Sequence, residues 1–338
     1  LIGSVIMLLG FLALWLRSSP DAAGRTFDIL ALQELGAAAR FGGTFGTIVF
    51  AAVALGFAVK VPVWPFHTWL PDAHTEAPTV GSVLLAGILL KMGTYGFVRI
   101  ALPILPEAAR TWAPVLGVLG AIAIIYGALC CLAQRDVKRL IAYSSVGHMG
   151  FVMLGIATLT PTGINAAVFG MVAHGVITGM LFFLAGSMHE RYHTRDILEL
   201  GGGMATLMPR LAGVFTLACI ASLGLPGLAG FWGEILALLA AWNPAPGLSV
   251  PLFRTLAAVG LLGTLLTAGY FLWLLQRVNL GVVPERWKAE RFHDVVGLEL
   301  AAWSPLLVLI LALGAYPKFI FGITDGAVQN MMTSIGLG

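Results

Sequence analysis

Charge is what this sequence has least of. Of 338 residues, 59% are hydrophobic and only 10% are Asp, Glu, Lys or Arg, with a mean hydropathy of +0.93. A soluble domain carries about 25% charged residues, so an ordinary soluble fold is excluded and lipid is the solvent for most of the chain. The net charge of +3 is no polybasic footprint, and nucleic acid is not expected as a partner. Only three cysteines occur, Cys130, Cys131 and Cys219. They lie in apolar runs without CxxC spacing, which argues against a disulfide framework or an iron–sulfur site and leaves them as small buried hydrophobes. There is no Walker motif, and no GxGxxG follows a strand, so neither ATP nor NADH is expected on this chain. The opening Leu1-Ile2-Gly3 has neither Met nor the basic start and cleavage site of a signal peptide. It reads as a cut into a longer protein.

Long apolar runs are what the sequence does have. Nine are evident, at about 1–16, 42–61, 79–101, 112–133, 140–158, 165–188, 209–241, 252–276 and 299–320. Lipid admits only helices or closed barrels. These runs lack strand alternation, so the expected fold is all-α, a polytopic transmembrane helical bundle. Ten basic residues fall in the connections on one side of that bundle, including Arg135, Lys138, Arg139, Arg191 and Arg195. Seven fall on the other, including Arg99, Arg110 and Lys318. The positive-inside rule makes the first side cytoplasmic and puts the C-terminus outside.

Two of the nine runs are interrupted. The second meets Pro62 directly after Lys60, and the seventh carries Gly224-Leu225-Pro226-Gly227 at its centre. Proline removes a backbone donor and clashes with the preceding turn, so both helices are expected to break. A broken helix at membrane depth survives only within protein or beside a polar cavity. A pair of them points to a transporter built from repeats.

The remaining signal is a set of ionisable side chains far from the helix ends. Lys91 stands midway along its run, where a charge costs about 2.5–3.5 kcal/mol on insertion scales. Lys60 precedes the first break, and Glu234 follows the second. His148 and His174 lie inside two further runs, and each can accept a proton on one ring nitrogen while releasing one from the other. Lys60, Lys91, His148, His174 and Glu234 are therefore expected to form one polar line near mid-membrane. Tyr143, Ser144, Ser145 and Thr178 would hold bridging waters along it. Two apparent metal patterns are set aside. His189-Glu190-Arg191-Tyr192-His193 matches HExxH at a helix end without a third ligand. His67, Asp72, His74 and Glu76 sit among Pro62, Pro65, Pro71 and Pro78 in what reads as a rigid reentrant connection.

The stretch from Lys60 to Thr79, the run Leu89-Leu90-Lys91-Met92-Gly93, Asp136 to Gly150, and Arg191 to Asp196 together resemble the antiporter-like subunits of respiratory complex I, NADH:quinone oxidoreductase. Glu234 in Phe231-Trp232-Gly233-Glu234, where relatives usually carry lysine, is similar to the chain M (chain 4) type. The resemblance implies helices six to fourteen of a fourteen-helix fold with an inverted repeat. Residues 1–101 would then be the end of the first repeat, 112–276 the second repeat, and 277–338 a loop plus the last membrane helix. It implies a proton-translocating subunit in a bacterial cytoplasmic membrane, with the other membrane-arm subunits, particularly the other antiporter-like chains, and lipids as partners. NADH, flavin, iron–sulfur clusters and quinone would belong to other subunits, with no cofactor on this chain. The acidic helix-five partner of Lys60 would precede residue 1. A subunit of a sodium/proton antiporter or membrane-bound hydrogenase, and a non-conducting structural subunit, are the alternatives.

Overall fold

The computed structural model describes residues 1–336, which form helices and connections with no β-strand among them. The principal helices are α1 (Ile2–Ser18), α2 (Ile29–Ala37), α3 (Gly43–Lys60), α4 (Trp69–Glu76) and α5 (Thr79–Ile104). They continue with α6 (Pro106–Leu132), α7 (Val137–Ala157), α8 (Pro161–Tyr192), α9 (Pro209–Ser222) and α10 (Ala229–Trp242). The last three are α11 (Val250–Val278), α12 (Gly297–Ala315) and α13 (Lys318–Ser334). Seven are long and apolar enough to cross a membrane: α3, α5, α6, α7, α8, α11 and α12. Three shorter apolar helices, α1, α9 and α10, account for the other expected runs, since α9 and α10 are the two halves of the seventh. The chain is an integral membrane protein.

Both expected breaks are present. Helix α3 stops at Lys60, residues 61–68 turn, and α4 resumes at Trp69. Residues 223–228 separate α9 from α10, and Gly224 (φ +82°) and Gly227 (φ +93°) take the left-handed conformation that the reversal needs. Helices α7 and α8 lie at the centre of the bundle and are the most enclosed of the spans. Their ends are set by local chemistry. Asp136 caps α7 by accepting from the Arg139 amide at 2.9 Å, and Thr160 caps α8 by accepting from the Gly163 amide at 3.0 Å. Helix α8 ends where His193 turns left-handed (φ 55°). The HExxH histidines therefore span a helix terminus.

One end of the bundle gathers the connections richest in Lys and Arg. Strands of loop pair there through Val137 N–H to Arg195 O (3.0 Å) and Ile197 N–H to Arg135 O (2.7 Å). Arg195 pairs with Asp136 at 3.3 Å, Arg139 with Asp72 at 3.1 Å, and Arg191 with Glu299 at 2.7 Å. Outside the spans, Asp294 caps the start of α9. Burial alone would raise its carboxyl, but amide hydrogen bonds from Arg210, Val295 and Leu211 outweigh it and hold the group below its usual range.

The last expected run, 299–320, is shorter than its composition implies. Tyr316 precedes Pro317 and is driven out of helical geometry (φ −134°, ψ 76°), so α12 ends at Ala315. The chain then starts α13, an amphipathic helix that hydropathy alone does not reveal. Asn165 on α8 holds it, donating to Asp325 at 2.7 Å and accepting from Thr324 at 2.8 Å. The region from 277 is thus a loop, a membrane helix and a further helix, with Leu337 and Gly338 outside the described residues.

Candidate functional site

The site assembles where α5, α7, α8 and the α9–α10 break meet. Helix α5 carries π-helical turns at Leu85–Leu89 and Phe97–Ala101, and Lys91 follows the first. Such turns change which backbone carbonyls are satisfied within the helix, and here the Lys91 ammonium donates to the carbonyl of Ala86. Helices α5 and α8 approach closely because no side chain intervenes: a Cβ on Gly175 would stand 2.8 Å from the Gly87 carbonyl. That approach brings Lys91 Nζ to 2.6 Å from His174 Nδ1. Lys91 is half-buried, and its charged end points into the bundle.

On the other flank, α10 packs against α8 with the same economy. A Cβ on Gly233 would lie 2.8 Å from the Gly170 Cα. Glu234 is therefore buried, and its Oε1 lies 3.0 Å from His148 Nδ1 on α7. His148 Nε2 lies 3.0 Å from the hydroxyl of Ser222, the last residue of α9. Gly224, within the break, sits beside the carboxylate, since a Cβ there would be 3.2 Å from Oε2. The rings of His148 and His174 meet edge to face with centroids 5.6 Å apart. Lys91, His174, His148 and Glu234 thus stand in one line, hydrogen-bonded within each outer pair and joined at the middle by ring contact.

A cavity of about 30 Å³ lies within this line, bordered by His148, His174, Thr178, Ser222 and Glu234 among others. A water molecule needs about 10–15 Å³ of such space and two to four polar partners. The buried atoms His174 Nε2, Thr178 Oγ1 and Glu234 Oε2 have no protein hydrogen-bond partner, and all three residues line the cavity. It is small and mostly apolar in its walls, but these polar atoms converge on it, and it is the right size for one or two waters bridging the two histidines and the carboxylate.

Other expected residues stand apart. Lys60, at the end of α3, is half-buried and has no hydrogen-bond or ion-pair partner among the described residues. Ser144 and Ser145 turn their hydroxyls back to the Ile141 carbonyl, at 2.7 and 3.3 Å. Tyr143 leans toward His67, ring centroids 6.5 Å apart. None of these lines the cavity. Thr178 does. Pro62 and Pro226 lie in the two breaks. Sequence reasoning missed Ser222. The available signal was a small hydroxyl residue on the last turn before an interrupted helix.

The sequence pattern of a known family matches residues 1–260, that of NADH:quinone oxidoreductase/Mrp antiporter transmembrane proteins. The chain belongs to that family. Among its relatives, NADH-quinone oxidoreductase subunit M of Rickettsia conorii is 44% identical over 285 residues, which are 84% of this chain and 56% of the relative. Subunit M of Rhodobacter capsulatus is 41% identical over 342 residues, 98% of this chain and 63% of that protein. The chain thus spans less than two thirds of the length of these relatives. A chain in the structure of respiratory complex I from Thermus thermophilus with bound NADH superposes with a TM-score of 0.86 at 31% identity, covering 99% of this chain and 67% of that one. The all-helical fold and the membrane location expected from composition agree with these likenesses.

Proposed function

We propose that the chain conducts protons across the membrane as the chain M subunit of an NADH:quinone oxidoreductase, with the redox steps carried out on partner subunits. The observation that carries this reading is the line Lys91–His174–His148–Glu234, hydrogen-bonded at both ends, with a water-sized cavity beside its two histidines. Relatives named NADH-quinone oxidoreductase subunit M support the same assignment.

The chemistry follows from the contacts. The Lys91 ammonium releases a proton to His174 Nδ1, 2.6 Å away. The opposite nitrogen of His174 serves the cavity, where water and the Thr178 hydroxyl carry the proton to His148 or to Glu234. When His148 carries its proton on Nδ1, it donates to Glu234 Oε1, and Ser222 donates to its Nε2. Each transfer changes the charge beside the next group, so the sites titrate as a coupled set, not one by one. Lys60 joins the line from the α3 break, where its side chain has no partner among the described residues. Protons suit this line better than sodium, because hard cations take oxygen ligands and three of its four charged or titratable groups offer nitrogen.

The partners are the other membrane-arm subunits and lipid. The host membrane is a bacterial cytoplasmic membrane with the basic end of the bundle inside. The test is Lys91→Met in the assembled complex. Native gels check assembly, and a pH dye in vesicles reads protons moved per electron. The ratio should fall while assembly persists. An unchanged ratio would remove Lys91 from the pathway.

A further inference from the structure

A groove of about 590 Å³ runs between α5, α8 and α13, on the flank of Lys91 away from the small cavity. On α5 it is lined by Lys91, Tyr95 and Arg99, which recur every four residues and so share one face of the helix. Apolar side chains such as Val168 and Val172 of α8 and Val328 of α13 complete the walls. Asn165 fixes α13 as the third side through its hydrogen bonds to Asp325 and Thr324.

The groove has a direction. The Thr79 end of α5 belongs to the basic end of the bundle, where Lys138 donates to the Ala77 carbonyl at 2.6 Å. Arg99 stands near the opposite end of α5, which closes at Ile104. At a rise of 1.5 Å per residue, Arg99 is about 7.5 Å from that end and Lys91 is about 12 Å deeper. Arg99 is exposed, and its guanidinium has no hydrogen-bond or ion-pair partner among the described residues; only its backbone carbonyl is engaged, by Gln33 at 2.9 Å. Lys91 borders the deep end, with its ammonium turned away to Ala86 and His174.

These features select an occupant. An apolar trough facing lipid takes hydrocarbon. The charged groups that line it, Lys91 and Arg99, are both cations, so the polar end of the occupant is anionic. Arginine near a helix end keeps its stem along apolar surface and its head among the headgroups. A helix of a partner is too wide to lie inside. A segment about 10–12 Å across and 12 Å long needs roughly 1,000 Å³, well above the space present, whereas a single acyl chain is slender enough.

We propose that this groove binds one acyl chain of an anionic phospholipid, with the phosphate on Arg99 and the chain end against Lys91. The guanidinium donates charge-assisted hydrogen bonds to the phosphate oxygens. The chain keeps water off the lipid-facing flank of Lys91 and so closes that flank to protons from the headgroup layer. This sealing role rests on the proton reading above; the binding site does not.

The test places the assembled complex in phosphatidylcholine vesicles that contain phosphatidylglycerol with a photoreactive group near the end of one chain. Peptide mass spectrometry locates the label. It should concentrate on α5 around Met92 and on the facing turns of α8 and α13. Arg99→Gln should lower it about fivefold, the worth of one basic residue at an anionic membrane surface. Photoreactive phosphatidylcholine should label the groove no better than that variant does with phosphatidylglycerol. Ala327→Trp, at an exposed position of the wall, should block the label while native gels show normal assembly. Label spread evenly over the lipid-facing helices and indifferent to Arg99→Gln would mean boundary lipid only and would overturn the site. Cross-linking of the groove to another subunit in place of lipid would overturn it as well. The decay of an imposed pH gradient reads the sealing role: leak should rise in Arg99→Gln and return to the parent rate when Lys91→Met is added. Lost label with an unchanged leak would overturn the sealing role. Intact label in a Lys91→Met complex that pumps at the parent ratio would remove the proton reading and leave the lipid site standing.

Discussion

The two broken helices differ in what surrounds their charge. At the second break, Glu234 has His148 at 3.0 Å, Ser222 one contact further on, and borders a water-sized cavity. At the first break, Lys60 has no partner among the described residues and is half-buried. Similar punctuation thus gives unequal sites. A break frees backbone groups and admits polar side chains, but a buried ion also needs an opposing group held at hydrogen-bond distance by a neighbouring helix. Helices α7 and α8 supply that at the second break. On the proposed reading, the partnered groups of the line lie on α5, α7, α8 and α10, and the first break contributes a lysine with no side-chain partner among the described residues.

The largest effect expected from breaking this comparison is at Glu234. Glu234→Gln keeps the shape and the contact with His148 but removes titration, so pumping by the assembled complex should be abolished or nearly so. Glu234→Asp retains titration with a shorter reach and should be milder. A glutamate that only hydrogen-bonds would give the reverse order, Gln tolerated and Asp damaging. At the first break, Lys60→Met should also lower protons moved per electron. Stability should stay within about 0.5 kcal/mol, as for substitutions that break no local contact. A large loss of stability would mean that Lys60 has a partner within this bundle. Gly224→Ala sharpens the second break. It forces a side chain into the left-handed region at a cost of about 1–2 kcal/mol and brings a methyl to 3.2 Å from the Glu234 carboxylate. Thermal unfolding should shift down, and pumping should fall with it. A variant that pumps and melts like the parent would show that the tight geometry at this break is unnecessary.

The smallest effect lies outside the membrane. Asp294 has its carboxyl lowered by the amides it caps. Its contribution to stability is present above the unfolded-state value and is lost as pH falls through the lower folded value. Asp294→Ala should cost about 1 kcal/mol near neutral pH, as a lost helix cap does. The difference from the parent should vanish in acid. A difference independent of pH would assign the residue's role to packing.

Much of this was legible in the sequence because lipid leaves few choices. Apolar length specified the spans, and Pro62 and Pro226 located the breaks. Lys91, His148, His174 and Glu234 stood out because ionisable groups are costly at membrane depth. Which of them touch was not legible. The 2.6 Å approach of Lys91 to His174 depends on the facing glycines Gly87 and Gly175 and on a π-helical turn. Neither hydropathy nor periodicity encodes those. Ser144 and Ser145 looked available from their position, but their hydroxyls satisfy their own helix. Helix α13 was missed because its apolar face is one-sided. His74 was read as part of a rigid proline-rich connection, and only the structure shows its ring buried on Phe182 with neither nitrogen partnered.

The central claim is that Glu234 changes protonation within the membrane during turnover. Infrared difference spectroscopy of the assembled complex, recorded between resting and turning-over states, reads this directly through the C=O stretch of a protonated carboxyl group. The account predicts a carboxyl band that changes on turnover, is lost in Glu234→Gln, and shifts in Glu234→Asp. A difference spectrum whose carboxyl region is the same in the parent and in Glu234→Gln would contradict it.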